Sequence, residues 1–388
     1  MIKTLVAYTK EIDDPEFAIG DIQEQLNFDE LLKNTVGIIY CVPDFIDTKV
    51  LKAITEILPF PTIGATTVAA AVNNSDSPLI LAILVMTSDD VDFKLATTGD
   101  LTGNEDDIVN SLKEATQGME GLPKLCLTFF PLQSVASGDW LVNTYSKYLP
   151  EVPLFGTMCV SMEDNFKRSL IVIDGEFYKE RSGVILVYGP IEPKFFIGTI
   201  SEDKYLKSKG IITKVSNKGA TINTINDTPA TQYLHEMGLS CDEAGQLIMP
   251  ELFPLVIDFN DGTNPILRAM LSGQKGGDLV LAGEVAEGAI LSVSSIDPTD
   301  VRLATEKTLK AVAKSGACDC ILLHSCLARY YVAMELDPDL ELNVIRQFID
   351  EDTHFIISYS GGEICPVPGK NNVTKNRMHN YTFIACTF

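Results

Sequence analysis

The sequence predicts a mixed α/β fold built from repeated strand–helix–strand–hairpin units, which form mixed sheets flanked by helices in two domains. Continuous apolar runs, typical of strands that are covered on both faces, occur at 36–42, 125–131 and 320–328. A stretch with the helical spacing of apolar residues follows each run and leads to another apolar run. Strands that alternate with helices in this way indicate an α/β architecture.

An internal duplication explains the order of these elements. The segment PTIGATTVAA at 61–70 aligns with PLFGTMCVSM at 153–162, and both lead from a proline through a glycine. A third copy at 320–388 would place the final apolar run, 381–388, where 79–86 lies in the first copy. The alternative is that any mixed α/β chain shows strand–helix–strand periodicity.

Residues 211–316 form a different unit, which separates the second copy from the third. It reads as two strands with a tight turn, a short helix, further strands and a long amphipathic helix that ends in glycine. The polar stretch 201–204 precedes this unit and marks a domain boundary. The predicted domains are 1–203, which contains the duplication, and 204–388.

The composition argues against several classes of function. The chain has 388 residues, of which 46% are hydrophobic and 21% are charged, and this indicates a globular protein. Its formal net charge of −23 repels phosphate backbones and anionic lipids, so we expect neither nucleic-acid binding nor membrane binding. The longest apolar run, 79–86, is too short to span a bilayer. Nine cysteines without a signal peptide predict a cytoplasmic protein with reduced thiols.

The segment 358–388 carries a group of polar residues at strand ends. An apolar strand ends at the glycine pair 361–362, where the backbone can adopt positive φ, and the carboxylate of Glu363 follows directly. The chain returns through His379 and Asn380 into the last strand. These two strand ends would form the polar wall of a pocket. The alternative is an ordinary hairpin with a long loop.

These motifs resemble the C-terminal signature of the FIST family, whose ligand-sensing domains occur in bacterial signalling proteins and some F-box proteins. The resemblance rests first on GGEICPVPG at 361–369 and HNYTF at 379–383. Further similar motifs are HSCLAR at 324–329, PATQYL at 229–234 and PILRAM at 265–270. The earlier part of the chain resembles the N-terminal FIST part and the rest its C-terminal part. Relatives usually carry an aromatic residue at the position of Gly361, which bears on the class of ligand.

Arg329 and Glu363 are the first candidates for ligand contacts. Arg329 follows an apolar strand, and a guanidinium at a strand end can bind a carboxylate through two parallel hydrogen bonds. Glu363, at the next strand end, can pair with Arg329 or bind an ammonium group. Together the two side chains match the two ends of an α-amino acid, a kind of ligand that the family resemblance also implies. The alternative is a structural Arg–Glu pair that holds no ligand.

Other candidates lie beside these two residues or at the corresponding places in the earlier copies. Asn380 would either fix the turn at 361–363 or reach the ligand. Gly64 and Gly156 can present backbone N–H groups to an anion, or they only permit close packing of a helix on a strand. The predicted ligand-binding set is Arg329, Glu363, Cys326, Gly362, Asn380, His379, Gly64, Thr66 and Gly156.

Cys326 suggests a second hypothesis, a thiol-dependent enzyme. Arg329 can lower the pKa of the thiol, and His324 on the same strand face would be the base. These positions stand roughly 6.5 Å apart along a strand, which is too far for a direct hydrogen bond. Cys318, Cys320 and Cys326 lack a second CxxC, so they indicate buried thiols rather than a zinc site.

Haem is a further alternative, because some FIST relatives look like haem-based gas sensors. The sequence has no Cys-x-x-Cys-His attachment motif. The candidate axial ligands are His235, His324, His354 and His379. A lone histidine is more often a solvated or core residue than an iron ligand, so we predict no cofactor.

The functional prediction combines these observations. The sequence contains no P-loop, dinucleotide fingerprint, HExxH motif or nucleophile elbow, so no catalytic residue is assigned and a binding protein is favoured over an enzyme. We predict a bacterial, cytoplasmic sensor whose ligand is an amino acid or a related metabolite. No kinase, methyl-accepting or other output domain is recognisable, so the signal is expected to pass to a separate protein partner.

Overall fold

The described part of the chain forms three mixed sheets and one antiparallel sheet. A computed structural model describes residues 2–388 except 74, 76–78, 133, 164–165, 241, 243–246, 275, 351 and 371–372. The predicted mixed α/β class with two domains is confirmed. The predicted boundary near residue 203 lies after the strand Lys194–Gly198 of a mixed sheet and before the strand Gly210–Ser216 of the antiparallel sheet. The domain limits themselves stay a prediction.

Several helices begin at caps that the sequence supplies. The side chain of Asp14 accepts hydrogen bonds from the backbone N–H groups of Glu16 and Phe17, and Asp297 forms a capping box with Asp300. In chain order the helices are α1 (Pro15–Gln25), α2 (Asp44–Asp47), α3 (Val50–Ile57), α4 (Asp106–Ala115), α5 (Gly138–Tyr148), α6 (Ala230–Glu236), α7 (Pro298–Lys314), α8 (Leu327–Met334) and α9 (Leu340–Phe348).

The apolar runs at 36–42, 79–86 and 125–131 lie mainly in strands that are buried along most of their length. The first twelve, in chain order, are β1 (Lys3–Thr9), β2 (Asn34–Cys41), β3 (Thr62–Thr66), β4 (Ala70–Val72), β5 (Leu81–Ser88), β6 (Asp92–Thr97), β7 (Leu125–Phe130), β8 (Leu154–Met158), β9 (Ile171–Ile173), β10 (Glu176–Tyr178), β11 (Gly183–Tyr188) and β12 (Lys194–Gly198). The strands of the antiparallel sheet are β13 (Gly210–Ser216), β14 (Thr221–Ile225), β15 (Thr228–Pro229), β16 (Leu255–Asp258), β17 (Ile266–Arg268), β18 (Met270–Gly273), β19 (Leu279–Leu281) and β20 (Ile290–Val293). The last strands are β21 (Cys320–Cys326), β22 (His354–Ser360), β23 (Glu363–Pro368), β24 (Thr374–His379) and β25 (Phe383–Thr387).

One boundary near the candidate site differs from the prediction. The apolar run at 320–328 does not form a single strand, because β21 ends at Cys326 and α8 begins at Leu327. Arg329 therefore lies in the first turn of a helix and not at the end of a strand.

Each mixed sheet has a central pair of parallel strands. The pairs are β2 with β3, β7 with β8, and β21 with β22. An antiparallel strand flanks each pair, namely β5, β11 and β25 respectively. The final strand β25 thus occupies the place that β5 has in the first sheet, as predicted for the last apolar run.

The three mixed sheets exchange strands with one another. β9 and β10 follow β8 in the chain but join the first sheet beside β3. β23 and β24 follow β22 but join the second sheet beside β8. β4 follows β3 but joins the third sheet beside β22. Each mixed sheet is therefore completed by a segment that begins in another one.

An aromatic cluster lies where the three mixed sheets meet. Tyr40, Phe129 and His324 come from the first strands of the three parallel pairs and are buried. The ring of Tyr40 lies 6.2 Å from Phe129 and 5.8 Å from His324, and His324 lies 5.2 Å from Phe155. His324 Nδ1 shares a 2.9 Å hydrogen bond with Ser358 Oγ. The imidazole is therefore part of the core.

Buried contacts of Arg268 help to attach the antiparallel sheet to the mixed-sheet part of the chain. Arg268, at the end of β17, places Nη2 2.7 Å from Asp139 Oδ1 in α5. Its Nη1 donates a 2.7 Å hydrogen bond to the carbonyl of Met378 in β24. The Arg268 side chain is fully buried, so this ion pair is shielded from solvent. A cleft opens beside this attachment.

His324 is expected to make the protein less stable in acid. Burial lowers the pKa of His324 to about 3, from about 6.5 for an exposed imidazole. Between these two values the unfolded chain binds a proton that the folded chain does not, so stability falls as the pH falls. His324→Phe should remove this dependence, which amounts to at most roughly 1.4 kcal/mol per pH unit between pH 6.5 and 3.

Urea unfolding of wild type and His324→Phe at several pH values measures this difference. His235→Gln is the matched control, because His235 is exposed on α6. Unfolding free energies of wild type and His324→Phe that stay parallel from pH 6.5 to 3 would contradict the prediction.

Candidate functional site

A cleft of about 1170 Å³ separates the antiparallel sheet from the second and third mixed sheets. Its walls are mostly apolar, and include Met158, Val160, Met270, Leu281 and Tyr331. Polar and charged residues, among them Asn217, Lys218, Glu284 and Asn380, also line it. A large apolar cavity with a few converging polar groups is the usual form of a small-molecule site.

Strand ends of the third sheet form the floor of the cleft. β21 and β22 run parallel, and their last residues, Cys326 and Ser360, lie side by side in register. β25 runs antiparallel to β21, so the turn that leads into it reaches the same edge with Asn380 and Tyr381. All four of these residues line the cleft, together with Gly361. The strand end at Ser360 and the entry to β25 at Asn380 therefore lie at one edge, whereas Glu363 and His379 do not line the cleft.

Asn380 holds a defined orientation at this floor. It is 1% exposed, and its Oδ1 accepts a 3.1 Å hydrogen bond from the backbone N–H of Ala269 in the antiparallel sheet. Because an N–H donor requires an oxygen acceptor, the amide atom beside Ala269 is Oδ1. The other amide atom is therefore the donor Nδ2. Nδ2 has no hydrogen-bond partner among the described residues. Asn380 thus bridges two sheets and keeps one donor free beside the cleft.

Glu363 lies behind the floor and not on the surface of the cleft. It is fully buried, and its Oε2 accepts hydrogen bonds from Thr382 Oγ1 at 2.8 Å and from the Thr382 N–H at 3.3 Å. Burial raises the pKa of Glu363 to about 8, and the hydrogen bonds from Thr382 only partly oppose this shift. At neutral pH the side chain is mostly an uncharged carboxylic acid. It is therefore not a fixed negative charge for an ammonium group.

Arg329 pairs with Glu341 and not with Glu363. Its Nη2 lies 2.7 Å from Glu341 Oε1 and also donates to Thr305 Oγ1 at 2.8 Å, and both members of the ion pair are fully buried. The hypothesis of an Arg329–Glu363 pair was wrong, because the carboxylate that pairs with Arg329 is Glu341 of α9. The guanidinium of Arg329 thus already has a carboxylate partner within the protein. A role of Arg329 in ligand binding stays a prediction.

Gly362 and His379 lie behind the floor, beside Glu363. Gly362 donates its N–H to Ser360 Oγ at 3.0 Å, and its carbonyl accepts from the Met158 N–H at 2.9 Å. His379 Nε2 is 3.3 Å from the Cys365 carbonyl, and burial lowers the pKa of His379 to about 3. Both residues support the turn around Glu363.

Gly64, Thr66 and Gly156 lie inside parallel strand pairs, away from the cleft. A Cβ atom on Gly64 would stand 1.7 Å from the carbonyl oxygen of Ile39, and one on Gly156 would stand 2.0 Å from that of Thr128. Only glycine permits this close approach between neighbouring strands. The sequence analysis predicted that these glycines permit close packing of a helix on a strand. In the structure, the close approach is between two neighbouring strands.

Comparison with protein-family models gives two matches that follow each other along the chain. A FIST N domain matches residues 35–228 and a FIST C domain matches residues 230–366. The chain belongs to the FIST family. FIST domains are associated with sensing or signal transduction. The second match contains Cys326 and Glu363, whereas Asn380 lies beyond it.

Other comparisons add little to this assignment. The solved structure "T. maritima PurL complexed with ATP" has 10% sequence identity and a TM-score of 0.20, and the match covers 100% of this chain and 71% of that chain. A similarity this low carries no argument about the FIST protein. A search of curated proteins found no match. Within the described ranges, no helix of the FIST protein is long and apolar enough to cross a membrane.

Glu284 is a cleft residue that the sequence reasoning missed. It is partly buried, accepts a hydrogen bond from Ser137, and its pKa is raised by burial. Glu251 and Glu335 also line the cleft, and Lys218 is the basic residue among its lining. A signal for Glu284 was available, because Gly283-Glu284 follows a strand just as Gly362-Glu363 does.

Cys326 lines the cleft but has an unreactive environment. It is 3% exposed, and burial raises the pKa of its thiol well above the ordinary value, which nearby Glu363 increases further. His324 lies in the core, where it shares a hydrogen bond with Ser358 and where burial lowers its pKa to about 3, so it is a weak base. The geometry does not support a thiol nucleophile.

The histidines are not gathered at the cleft. His324 and His379 are buried in the core, His354 shares a hydrogen bond with Thr4, and His235 is exposed. The described lining of the cleft includes no histidine side chain. In the part of the chain that the structure describes, no group of three or more His, Cys, Asp or Glu side chains is placed to hold a metal ion.

Removal of Arg329 is expected to destabilise the fold. Arg329→Ala would leave Glu341 buried without its partner, which typically costs roughly 3–5 kcal/mol. Denaturant unfolding measures this loss. Arg302→Ala is the matched control, because Arg302 forms an exposed pair with Glu306 on α7 and should leave the midpoint nearly unchanged. Equal midpoints for the two variants would contradict the buried pair.

Cys326 is expected to resist alkylation in the folded protein. Cys318 is the internal control, because it is only partly buried and should react first with iodoacetamide. Peptide mapping by mass spectrometry after timed labelling follows each cysteine separately. Labelling of Cys326 ahead of Cys318 in the native protein would show an activated thiol and would restore the thiol-enzyme hypothesis.

Proposed function

We propose that this FIST protein is a sensor that binds a small metabolite in the cleft, and that the ligand is an amino acid or a related molecule. The observation that carries this proposal is the cleft itself. It combines apolar walls with polar strand ends from the third sheet, and it lies between two parts of the chain. Its volume of about 1170 Å³ accommodates a ligand with a substantial apolar part.

The charges around the cleft support a ligand with an amino group. Three carboxylates, Glu251, Glu284 and Glu335, line the cleft against one cation, Lys218. Burial raises the pKa of Glu284, so a cationic partner would stabilise its charged form. An apolar amino acid supplies both an ammonium group and a side chain for the walls.

Ligand binding in the cleft offers a route to a signal. The antiparallel sheet forms one wall, and the mixed sheets form the other. A ligand that contacts both walls favours whichever relative position gives it more contacts. We propose that a separate signalling protein detects this change. The cytoplasmic and bacterial setting predicted from the sequence belongs to the same proposal.

Blocking the cleft is expected to abolish ligand binding. Leu271 lines the cleft and is 51% exposed, so Leu271→Trp narrows its mouth without disturbing the core. Leu303→Trp is the matched control, because Leu303 is 49% exposed on α7, outside the cleft. A compound at 100 times its Kd stabilises the protein by about 2.7 kcal/mol, which raises the melting temperature measurably.

The measurement is a thermal-shift screen of amino acids and metabolites with all three proteins. Compounds that stabilise wild type and Leu303→Trp but not Leu271→Trp would support the proposal. A screen without hits, or hits that Leu271→Trp retains, would contradict it. A Soret band in the visible spectrum of the purified protein would instead favour the haem-based gas sensor.

A further inference from the structure

We infer that the N-terminus of α8, together with Asn380, binds the carboxylate group of the ligand. This inference rests on the proposed function and deepens it, because it assigns one end of the ligand to named groups. It also replaces Arg329 as the expected carboxylate site. The groups involved are the first backbone N–H groups of α8 and the side-chain Nδ2 of Asn380.

The start of α8 leaves donors without strong acceptors. Its N-cap residue is Cys326, whose side chain makes no capping hydrogen bond. The N–H groups of Leu327, Ala328 and Arg329 have no oxygen acceptor among the described residues. The Cys326 sulfur, beside the Ala328 N–H, is only a weak acceptor. Serine, threonine, aspartate or asparagine usually fills this position, and its oxygen would block the helix end.

The helix end opens into the cleft. Leu327 and Ala328 line it directly, and α8 runs for eight residues, so its dipole places positive potential at this end. Helix N-termini with free N–H groups bind anions for this reason. The neighbouring acid, Glu363, is mostly protonated at neutral pH and does not fill this role.

Asn380 is the independent observation that points to a ligand here. It is 1% exposed and lines the same cleft as Leu327 and Ala328. Its Oδ1 is used by the Ala269 N–H, whereas Nδ2 lacks a partner within the described ranges. An amide donor that faces the cleft and has no protein acceptor is available to an acceptor atom of a ligand. A carboxylate oxygen between the helix end and Nδ2 would satisfy both.

The test compares apolar amino acids with their amides. Leucine, phenylalanine and tryptophan each form a pair with the corresponding amide, which keeps the ammonium group and the side chain but lacks the carboxylate. Affinities are measured by calorimetry or ligand-observed NMR at pH 7. We expect at least one amino acid to bind roughly tenfold or more tightly than its amide, which corresponds to about 1.4 kcal/mol.

Two variants with the same new charge locate the carboxylate. Asn380→Asp keeps the oxygen that the Ala269 N–H requires, but it replaces the free donor with a negative charge. Asn217→Asp adds the same charge to the same cleft at another place, where Asn217 Nδ2 donates to Thr221 Oγ1. Asn380→Asp should remove the preference for the amino acid over its amide, whereas Asn217→Asp should keep it.

The outcomes separate this inference from the proposed function. Amides that bind as tightly as the amino acids, with binding still blocked by Leu271→Trp, would overturn the carboxylate site and leave the sensor proposal in place. A preference that survives in Asn380→Asp would also overturn the site. The comparison of the pairs in wild type does not depend on whether a variant folds. If neither the amino acids nor the amides bind, the inference and the proposed function both fail.

Discussion

The exchange of strands among the three mixed sheets is the constraint on which the rest of the structure depends. β4, the β9–β10 pair and the β23–β24 pair each complete a sheet that begins elsewhere in the chain. Each of the three mixed sheets therefore needs a strand from another part of the chain to complete one of its edges. The rings of Tyr40, Phe129 and His324 fill the space between them, so packing at the centre and pairing at the edges support each other.

This arrangement also determines where a site can form. Because β21 and β22 are parallel, Cys326 and Ser360 end side by side, and the antiparallel β25 begins at the same edge after Asn380. The antiparallel sheet is attached there by polar contacts, which include the Arg268–Asp139 pair and the Asn380–Ala269 hydrogen bond. The cleft opens beside the Asn380–Ala269 contact.

The sequence contained most of the fold, because buried strands appear as continuous apolar runs whatever their partners are. It did not contain the partner of Arg329, since Glu341 comes from a separate helix and no local pattern connects the two residues. The start of α8 was missed because Cys326 is not a typical cap and apolar residues continue past it. Asn380 was found, because a polar residue directly before a buried strand is visible in the sequence. Glu284 carries the same strand–Gly–Glu pattern as Glu363 and was overlooked.

Under the proposed function, the charges around the cleft favour a zwitterion over a simple anion or cation as the ligand. The chain has a net charge of −23, and Glu251, Glu284 and Glu335 line the cleft, so a ligand that carries only negative charge is repelled on its approach. A ligand that carries only positive charge offers no acceptor to the N–H donors of α8 and Asn380 Nδ2. A molecule with both charges meets both requirements. The apolar part of such a molecule can cover the walls of the cleft. The selectivity of the cleft would then follow from unfavourable contacts with other ligands as much as from favourable contacts with this ligand.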